Sequence, residues 1–426
     1  MDKTTHYDVR KVRERFPGLN RLKNGRAAAF LDNPAGTQVP LEVVERMSDA
    51  LLYRNANLDG DFDTSLEAGE LVDAAHRAGK VFVNAPQSGE VFFGQSMTAL
   101  TFAMSRAMTP LFKSGDEIVV SRMDHDGNVA PWLMLAEDLG LTVKWLEFSP
   151  ETFEFDLNDL AALMTDRTRL VAVGYASNVT GTVHNIAGIA RIAHAAGALV
   201  YVDAVQYAPH GLIDVQALGC DFLVCSAYKF FGPHYALFWG RTELLDRMRA
   251  YKVRPADDTL PWRFTNGTTN REELAGIHAA IDYIGSLGVE FGGVGQSAGL
   301  RERLAGGYRV MRRHDDGLAL RLINGLRSYN SVRILGISDP QAFERRISTV
   351  SFVAEGTASD AISKNLAAQG VQVWAGHNYG IEPYRRLGLL DRGSGVRVGP
   401  VHYNTLEEID RTVALVGEAI AAAANA

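Results

Sequence analysis

Six short apolar runs recur between helical stretches in the first 230 residues, and this alternation restricts the possible folds more than any other feature. Val91-Phe92-Phe93, Glu117-Ile118-Val119-Val120, Val143-Lys144-Trp145-Leu146, Leu170-Val171-Ala172-Val173, Leu199-Val200-Tyr201-Val202 and Phe222-Leu223-Val224-Cys225 are rich in β-branched and aromatic residues. Such runs fit strands buried on both faces of a sheet. Helical patterns at 128–139 and 186–196 lie between them, the second closed by Gly197 as a C-terminal cap. The alternation predicts βαβ units around a mostly parallel sheet.

The pattern changes at the glycine-rich stretch 285–299. Beyond it the sequence predicts one long Arg-rich amphipathic helix at 300–329, short strands at 332–335, 349–353 and 371–374, and a closing helix at 405–424. The expected organisation is an N-terminal arm at 1–30 packing with the small domain, a large α/β domain at 31–289, and a small α+β domain at 290–426. Apolar residues at 46% and charged residues at 22% rule out disorder for most of the chain. A net charge of −7 argues against a nucleic-acid partner, which requires a basic stripe. No run approaches the ~20 apolar residues of a membrane span. Residues 1–20 are charged and lack the apolar core of a secretory signal. Two cysteines exclude a disulfide scaffold and a Cys-rich zinc module. A cytoplasmic protein without a membrane partner is expected.

Chemistry concentrates where the strands end. Phe222–Ser226 leads into Ala227-Tyr228-Lys229 and breaks at Gly232-Pro233. Open α/β sheets bind ligands at the carboxyl ends of their strands, and desolvation lowers a lysine pKa so that its amine can form a Schiff base. The alternative is a solvated lysine at a strand end. Asp203 ends the preceding strand, at the same edge. Pyridoxal phosphate needs both groups, a lysine for the imine and an acid at the pyridine nitrogen; as a lone residue Asp203 is equally a helix N-cap. Asn178, before Gly181, is placed to bond a cofactor oxygen or simply to make a turn. Ser96 and Thr98 follow a strand and open a helix, which makes an anion site or an ordinary cap, and Ser226 adds a hydroxyl. Asp124-His125-Asp126 fits no zinc spacing; a ring-stacking imidazole is the functional reading and a surface-loop histidine the plain one.

Taken in order, Asp124-His125, Ser177-Asn178-Val179-Thr180-Gly181, Val202-Asp203-Ala204-Val205-Gln206, Ser226-Ala227-Tyr228-Lys229 and Phe264-Thr265-Asn266-Gly267-Thr268 closely resemble the class V aminotransferases. The likeness is greatest to the cysteine desulfurase and selenocysteine lyase branch of the fold-type I pyridoxal-phosphate enzymes. The resemblance implies pyridoxal 5'-phosphate as cofactor, Lys229 as its Schiff-base lysine, Asp203 at the pyridine nitrogen and His125 stacked on the ring. It implies Asn178 and Gln206 near the phenolic oxygen, and Ser96, Ser226 and Tyr228 near the phosphate. Thr268 would arrive from the second subunit of a homodimer, and Arg397 would grip the α-carboxylate of a small amino acid.

Three departures stand against simple transfer of the desulfurase reaction. In Val373-Trp374-Ala375-Gly376-His377-Asn378-Tyr379, Trp374 replaces an arginine and Tyr379 replaces the sulfur-accepting cysteine of that branch. The two cysteines, Cys220 and Cys225, flank a predicted buried strand, where a thiol is a poor nucleophile. The 57–63 segment is acidic where desulfurases often present a His-Arg pair. The expectation is a fold-type I enzyme that cleaves a Cβ–S bond by β-elimination without a persulfide cysteine; the alternative is an aminotransferase or epimerase of the same fold. A strand followed by Gly-x-Gly-x-x-Gly, needed for a nicotinamide dehydrogenase, is missing, and the Lys–Asp–Asn–His set argues against a non-enzymatic scaffold.

Overall fold

A computed structural model describes residues 7–425. All six predicted apolar runs are strands of one sheet: β1 (Gly89–Gly94), β2 (Glu117–Ser121), β3 (Thr142–Leu146), β4 (Thr168–Gly174), β5 (Leu199–Asp203) and β6 (Phe222–Ser226). A seventh, β7 (Ala236–Arg241), completes it in the order β1-β7-β6-β5-β4-β2-β3. β7 is antiparallel to both neighbours; the other pairings are parallel. β1 therefore runs the same way as β6, and six carboxyl ends share one edge. Alternate residues serve two cores. Val119, Val171, Val200, Leu223 and Leu237 enter one, whereas Ile118, Leu170, Tyr201, Phe222 and Phe238 enter the other. Burial on both faces is why these strands read as unbroken apolar runs.

Helices α1 (Leu41–Tyr53), α2 (Asp63–Val83), α3 (Met97–Ala107), α4 (Ala130–Leu139) and α5 (Ile186–Ala195) belong to this body. The predicted 128–139 helix starts at Ala130, after a 3-10 turn at Asp126–Asn128. Gly197 sits beyond the end of α5 with φ +76°, a conformation that favours glycine.

The glycine-rich stretch ends one helix and precedes the next, with 291–299 non-helical between them. Helix α6 (Arg271–Glu290) runs through Gly285 and packs lengthwise on α7 (Leu300–Arg327). A Cβ at Gly288 or Gly307 would fall 2.0 or 2.1 Å from backbone of the other helix, so these glycines permit close helix contact. Leu304, Tyr308 and Met311 lie in the large core, while Leu318, Leu322 and Leu326 lie in a third. We propose that α7 itself carries the passage between the two bodies, since its two halves serve different cores.

The small sheet contains β8 (Val332–Leu335), β9 (Val350–Ala354), β10 (Trp374–Gly376) and β11 (Gly395–Val398), ordered β8-β9-β11-β10 and antiparallel throughout. The predicted strand at 371–374 is two pieces: Val371–Gln372 pairs in parallel with Ala29–Phe30, and β10 begins at Trp374. Helices α8 (Ser359–Ala368) and α9 (Leu406–Ala424) cover this sheet. A capping box of Thr405 and Glu408 starts α9, as the pattern S/T-x-x-E requires. Part of the predicted arm, residues 1–6, lies outside the described residues. The rest packs on both bodies: Val12, Phe16 and Leu19 enter the large core, and Arg13 donates to the Tyr403 carbonyl at 2.7 Å.

Candidate active site

The shared edge of the large sheet faces β10 and β11, and between them lies a cavity of about 840 Å³ lined by His125, Asn178, Gln206, Lys229, Trp374 and Arg397 among others. A smaller cleft beside it is lined by Ser96, Asp203, Ser226 and Tyr228, and shares His125, Asn178, Gln206 and Lys229. Nine of the ten sequence-predicted site residues thus converge. Thr268 does not. It is exposed and lines another cleft with Asp59 and Arg271.

Most of these side chains follow the ends of strands in the large sheet, whereas Arg397 lies within β11. β6 delivers Lys229 through a one-turn 3-10 helix, Ala227–Lys229, which turns the lysine back over the edge. Its Nζ is buried and donates to the carbonyl of Pro34, and the Gln206 amide donates to the same oxygen at 2.8 Å. Burial, followed by the Arg397 charge, pushes the Lys229 amine down to about 7, against the pull of Asp203 and Asp32. β5 delivers Asp203. Burial pushes its carboxyl up to about 7 although Oδ1 accepts from the Val205 N–H at 2.9 Å.

β2 delivers Asp124 and His125. The Asp124 carboxylate is taken up by hydrogen bonds. It accepts from Ser121 Oγ at 2.7 Å, Gly174 N at 2.9 Å and Asn128 Nδ2 at 2.8 Å, tying the β2 loop to β4. The Gly127 N–H donates to His125 Nδ1 at 2.9 Å, so a neutral ring carries its proton on Nε2. Burial, with the Lys229 and Arg397 charges nearby, holds His125 neutral by lowering it to about 3. A Cβ at Gly127 would lie 2.8 Å from Thr98 Oγ1 and 3.0 Å from His125 Nδ1; glycine keeps this corner open.

β1 leads into α3, whose first turn reaches the small cleft. Ser96 Oγ accepts from the Ala99 N–H at 3.1 Å, and Ser226 Oγ accepts from the Met97 N–H at 3.1 Å. β7 makes this meeting possible, since Ala236 pairs with Ser226 on one side and Gly94 on the other. Ser96 is thus both a cap and part of the cleft wall.

Two buried polar atoms in the cavity lack partners among the described residues. Asn178 donates its amide to the Asn378 carbonyl at 2.8 Å, but its Oδ1 is unpaired. Arg397 donates to the Asn178 carbonyl at 3.1 Å, but its Nε is unpaired. Orphaned buried groups are costly, and these two face a cavity with an amine and an acid at adjacent strand ends. The donor set fits pyridoxal phosphate and an amino-acid carboxylate.

Sequence reasoning missed Asp32 and Pro34, which enter from an N-terminal turn. The Asp32 carboxyl is raised by burial, an effect opposed by Trp374, Arg397 and Lys229. The signal was present: Asp32-Asn33-Pro34 follows the apolar residues 27–31 as the other site loops follow their strands.

The aminotransferase class-V family matches residues 29–412. A cysteine desulfurase of Dickeya dadantii is 32% identical over 424 residues, covering 96% of each chain. An aminotransferase-like protein of Gibberella zeae is 31% identical over 425 residues, covering 96% of this chain and 98% of its own. The solved cysteine desulfurase of Thermococcus onnurineus superposes with a TM-score of 0.84 at 25% identity, covering 97% of this chain and 98% of that one. The fold is that of the fold-type I pyridoxal-phosphate enzymes, and the chain belongs to the aminotransferase class-V family.

Proposed function

We propose that this pyridoxal-phosphate enzyme cleaves the Cβ–S bond of a cysteine-type amino acid by β-elimination, without passing sulfur to a cysteine of its own. The observation that carries the reading is the pairing of buried Lys229 and Asp203 at neighbouring strand ends, with Arg397 facing them from the small sheet. Lys229 would carry the cofactor, Asp203 would meet its pyridine nitrogen and His125 its ring face. Asn178 and Gln206 would lie near the phenolic oxygen, and Ser96, Ser226, Tyr228 and the first turn of α3 near the phosphate. When bound, the cofactor supplies an electron sink for the pair left on Cα.

The chain's own residues do the rest. Arg397 offers the carboxylate a planar fork. Lys229 Nζ, with its pKa near neutrality, takes the α-proton, because a base acts best when its pKa lies near working pH. His125 excludes water from the ring face and stays uncharged. Sulfur then leaves as sulfide or thiol, since Cys220 and Cys225 sit in the large core, where burial pushes both thiols far up. Thr268 would act from a partner subunit. Exposed Leu51, Leu52, Tyr53, Phe62 and Leu66 supply an apolar face suited to a homodimer.

Transamination is the second reading, favoured by the aminotransferase-like fungal relative. Borohydride reduction of the holoenzyme followed by peptide mapping, with assays for pyruvate, ammonia and sulfide, tests the proposal. The label is expected on Lys229, with pyruvate and ammonia in equal amounts. A label elsewhere, or turnover only with an added keto acid, refutes it.

A further inference from the structure

The amine and carboxylate anchors of the cavity fix two arms of an amino-acid substrate, and the remaining walls are built for the third. β10 pairs Trp374 directly with Arg397 of β11. Directly opposed residues project from the same sheet face with Cβ atoms ~5 Å apart, so Trp374 stands beside the carboxylate anchor. Its side chain lies against the Asp32 carboxylate and is still 54% exposed.

Five residues on, Tyr379 closes the turn. Asn378 and Tyr379 both have positive φ, +51° and +58°, which is strained for residues with a Cβ. The turn is pinned by two backbone acceptors: the Tyr379 carbonyl takes the Asp126 N–H at 2.7 Å, and the Asn378 carbonyl takes the Asn178 amide at 2.8 Å. The Tyr379 ring consequently stacks on His125 at 5.4 Å and 24°, yet 66% of the residue stays exposed. Phe102, Ala35 and Ala130 also line the cavity. Trp374 on its strand and Tyr379 on its positive-φ turn both leave apolar area in water beside one anchor, at ~25 cal/mol per Å². A volume of about 840 Å³ is near the upper end of the ~300–1,000 Å³ usual for small-molecule sites.

We infer that Trp374 and Tyr379 form an aromatic clamp for the substrate side chain, and that the preferred substrate is an amino acid with an aromatic or bulky apolar substituent on Cβ, such as an S-aryl or S-benzyl cysteine, rather than free cysteine. The inference rests on the reading of this cavity as an amino-acid site. It does not rest on β-elimination, so its first test is binding.

The holoenzyme is titrated with L-phenylalanine and with L-alanine, following cofactor absorbance. Phenylalanine is expected to bind at least tenfold more tightly. In Trp374→Ala and Tyr379→Ala this ratio should fall several-fold, and in Tyr379→Phe, which keeps the ring, it should persist. The kcat/KM ratio of S-benzyl cysteine to S-methyl cysteine should follow the same order across the variants. Equal affinities, or variants that weaken both ligands alike, overturn the clamp. A double Ala variant that changes the oligomeric state by light scattering also overturns it, because the rings would then belong to a subunit contact. Discrimination in binding with no pyruvate from any thioether retains the clamp and removes the elimination reading alone.

Discussion

Lys229→Met should stabilise the cofactor-free protein while ending its chemistry. Methionine is apolar and close in length, and the site it would occupy is buried. In the folded chain the Lys229 pKa is about 7, lowered from 10.5. One unit corresponds to ~1.4 kcal/mol, so the full depression corresponds to a cost on the order of 5 kcal/mol. The sign follows from proton counting. Between pH 7 and 10.5 the unfolded chain binds one more proton at this lysine than the folded chain, so the lysine's contribution to stability rises with pH. It is complete above 10.5 and lost as pH falls towards 7. At pH 8 the remaining cost is roughly 3 kcal/mol on the same scale, an upper figure because the bond to Pro34 offsets some of it. Replacing a buried charge by an apolar group commonly gains ~1–4 kcal/mol. With an unfolding entropy of ~2.1 cal/mol/K per residue, this corresponds to a Tm rise of about 1–4 °C. The assay is calorimetry of hydroxylamine-stripped wild type and variant from pH 7 to 10. The variant's advantage should shrink steadily with pH. A variant less stable at pH 8, or an advantage that grows with pH, would refute a buried, neutralised amine.

Arg397→Lys keeps a charge but loses the planar fork, so kcat/KM on amino acids should drop by about 1–3 kcal/mol; unchanged kinetics would move the carboxylate site. The Cys220→Ser, Cys225→Ser double variant should retain turnover of cysteine-type substrates, and intact mass after one turnover of wild type should show no added sulfur. A one-sulfur adduct with alanine released would restore a persulfide cycle. Light scattering should give a dimer, and Leu52→Glu with Phe62→Glu should yield monomers with weakened cofactor retention; a fully active monomer would contradict a shared site.

The sequence was most legible where one constraint acts on many residues. Burial on both faces leaves unbroken apolar runs, so six strands of the large sheet could be read directly, and with them the candidate residues that follow their ends. β7 escaped although it is equally apolar, because it follows Gly232-Pro233 and runs against its neighbours, outside the βαβ rhythm. The 371–374 run looked like one strand because pairing partners 340 residues away are invisible in a local pattern. The glycines near 285 resembled a linker, yet Gly288 and Gly307 serve close helix packing. Asp32 and Pro34 were missed because their position over Lys229 depends on the Asp32–Gly399 bridge and on Asn33, which donates to the Phe30 carbonyl at 2.9 Å and to Asn404 at 3.2 Å. No local rule predicts such long-range ties.

The pairing of Ala29–Phe30 with Val371–Gln372 has a consequence for biogenesis. Synthesis runs from the N-terminus, so Ala28, Ala29 and Leu31, all buried in the finished protein, leave the ribosome more than 300 residues before the strand that covers them. Contacts so distant in sequence form late. The large sheet can assemble first, but the turn that reaches Lys229 has its neighbours only after β11 and Asn404 have been made. A chain interrupted before residue 371 would hold the lysine and the acid without the segment that orders Pro34 over them, leaving an apolar N-terminal strand open to chaperones and proteases.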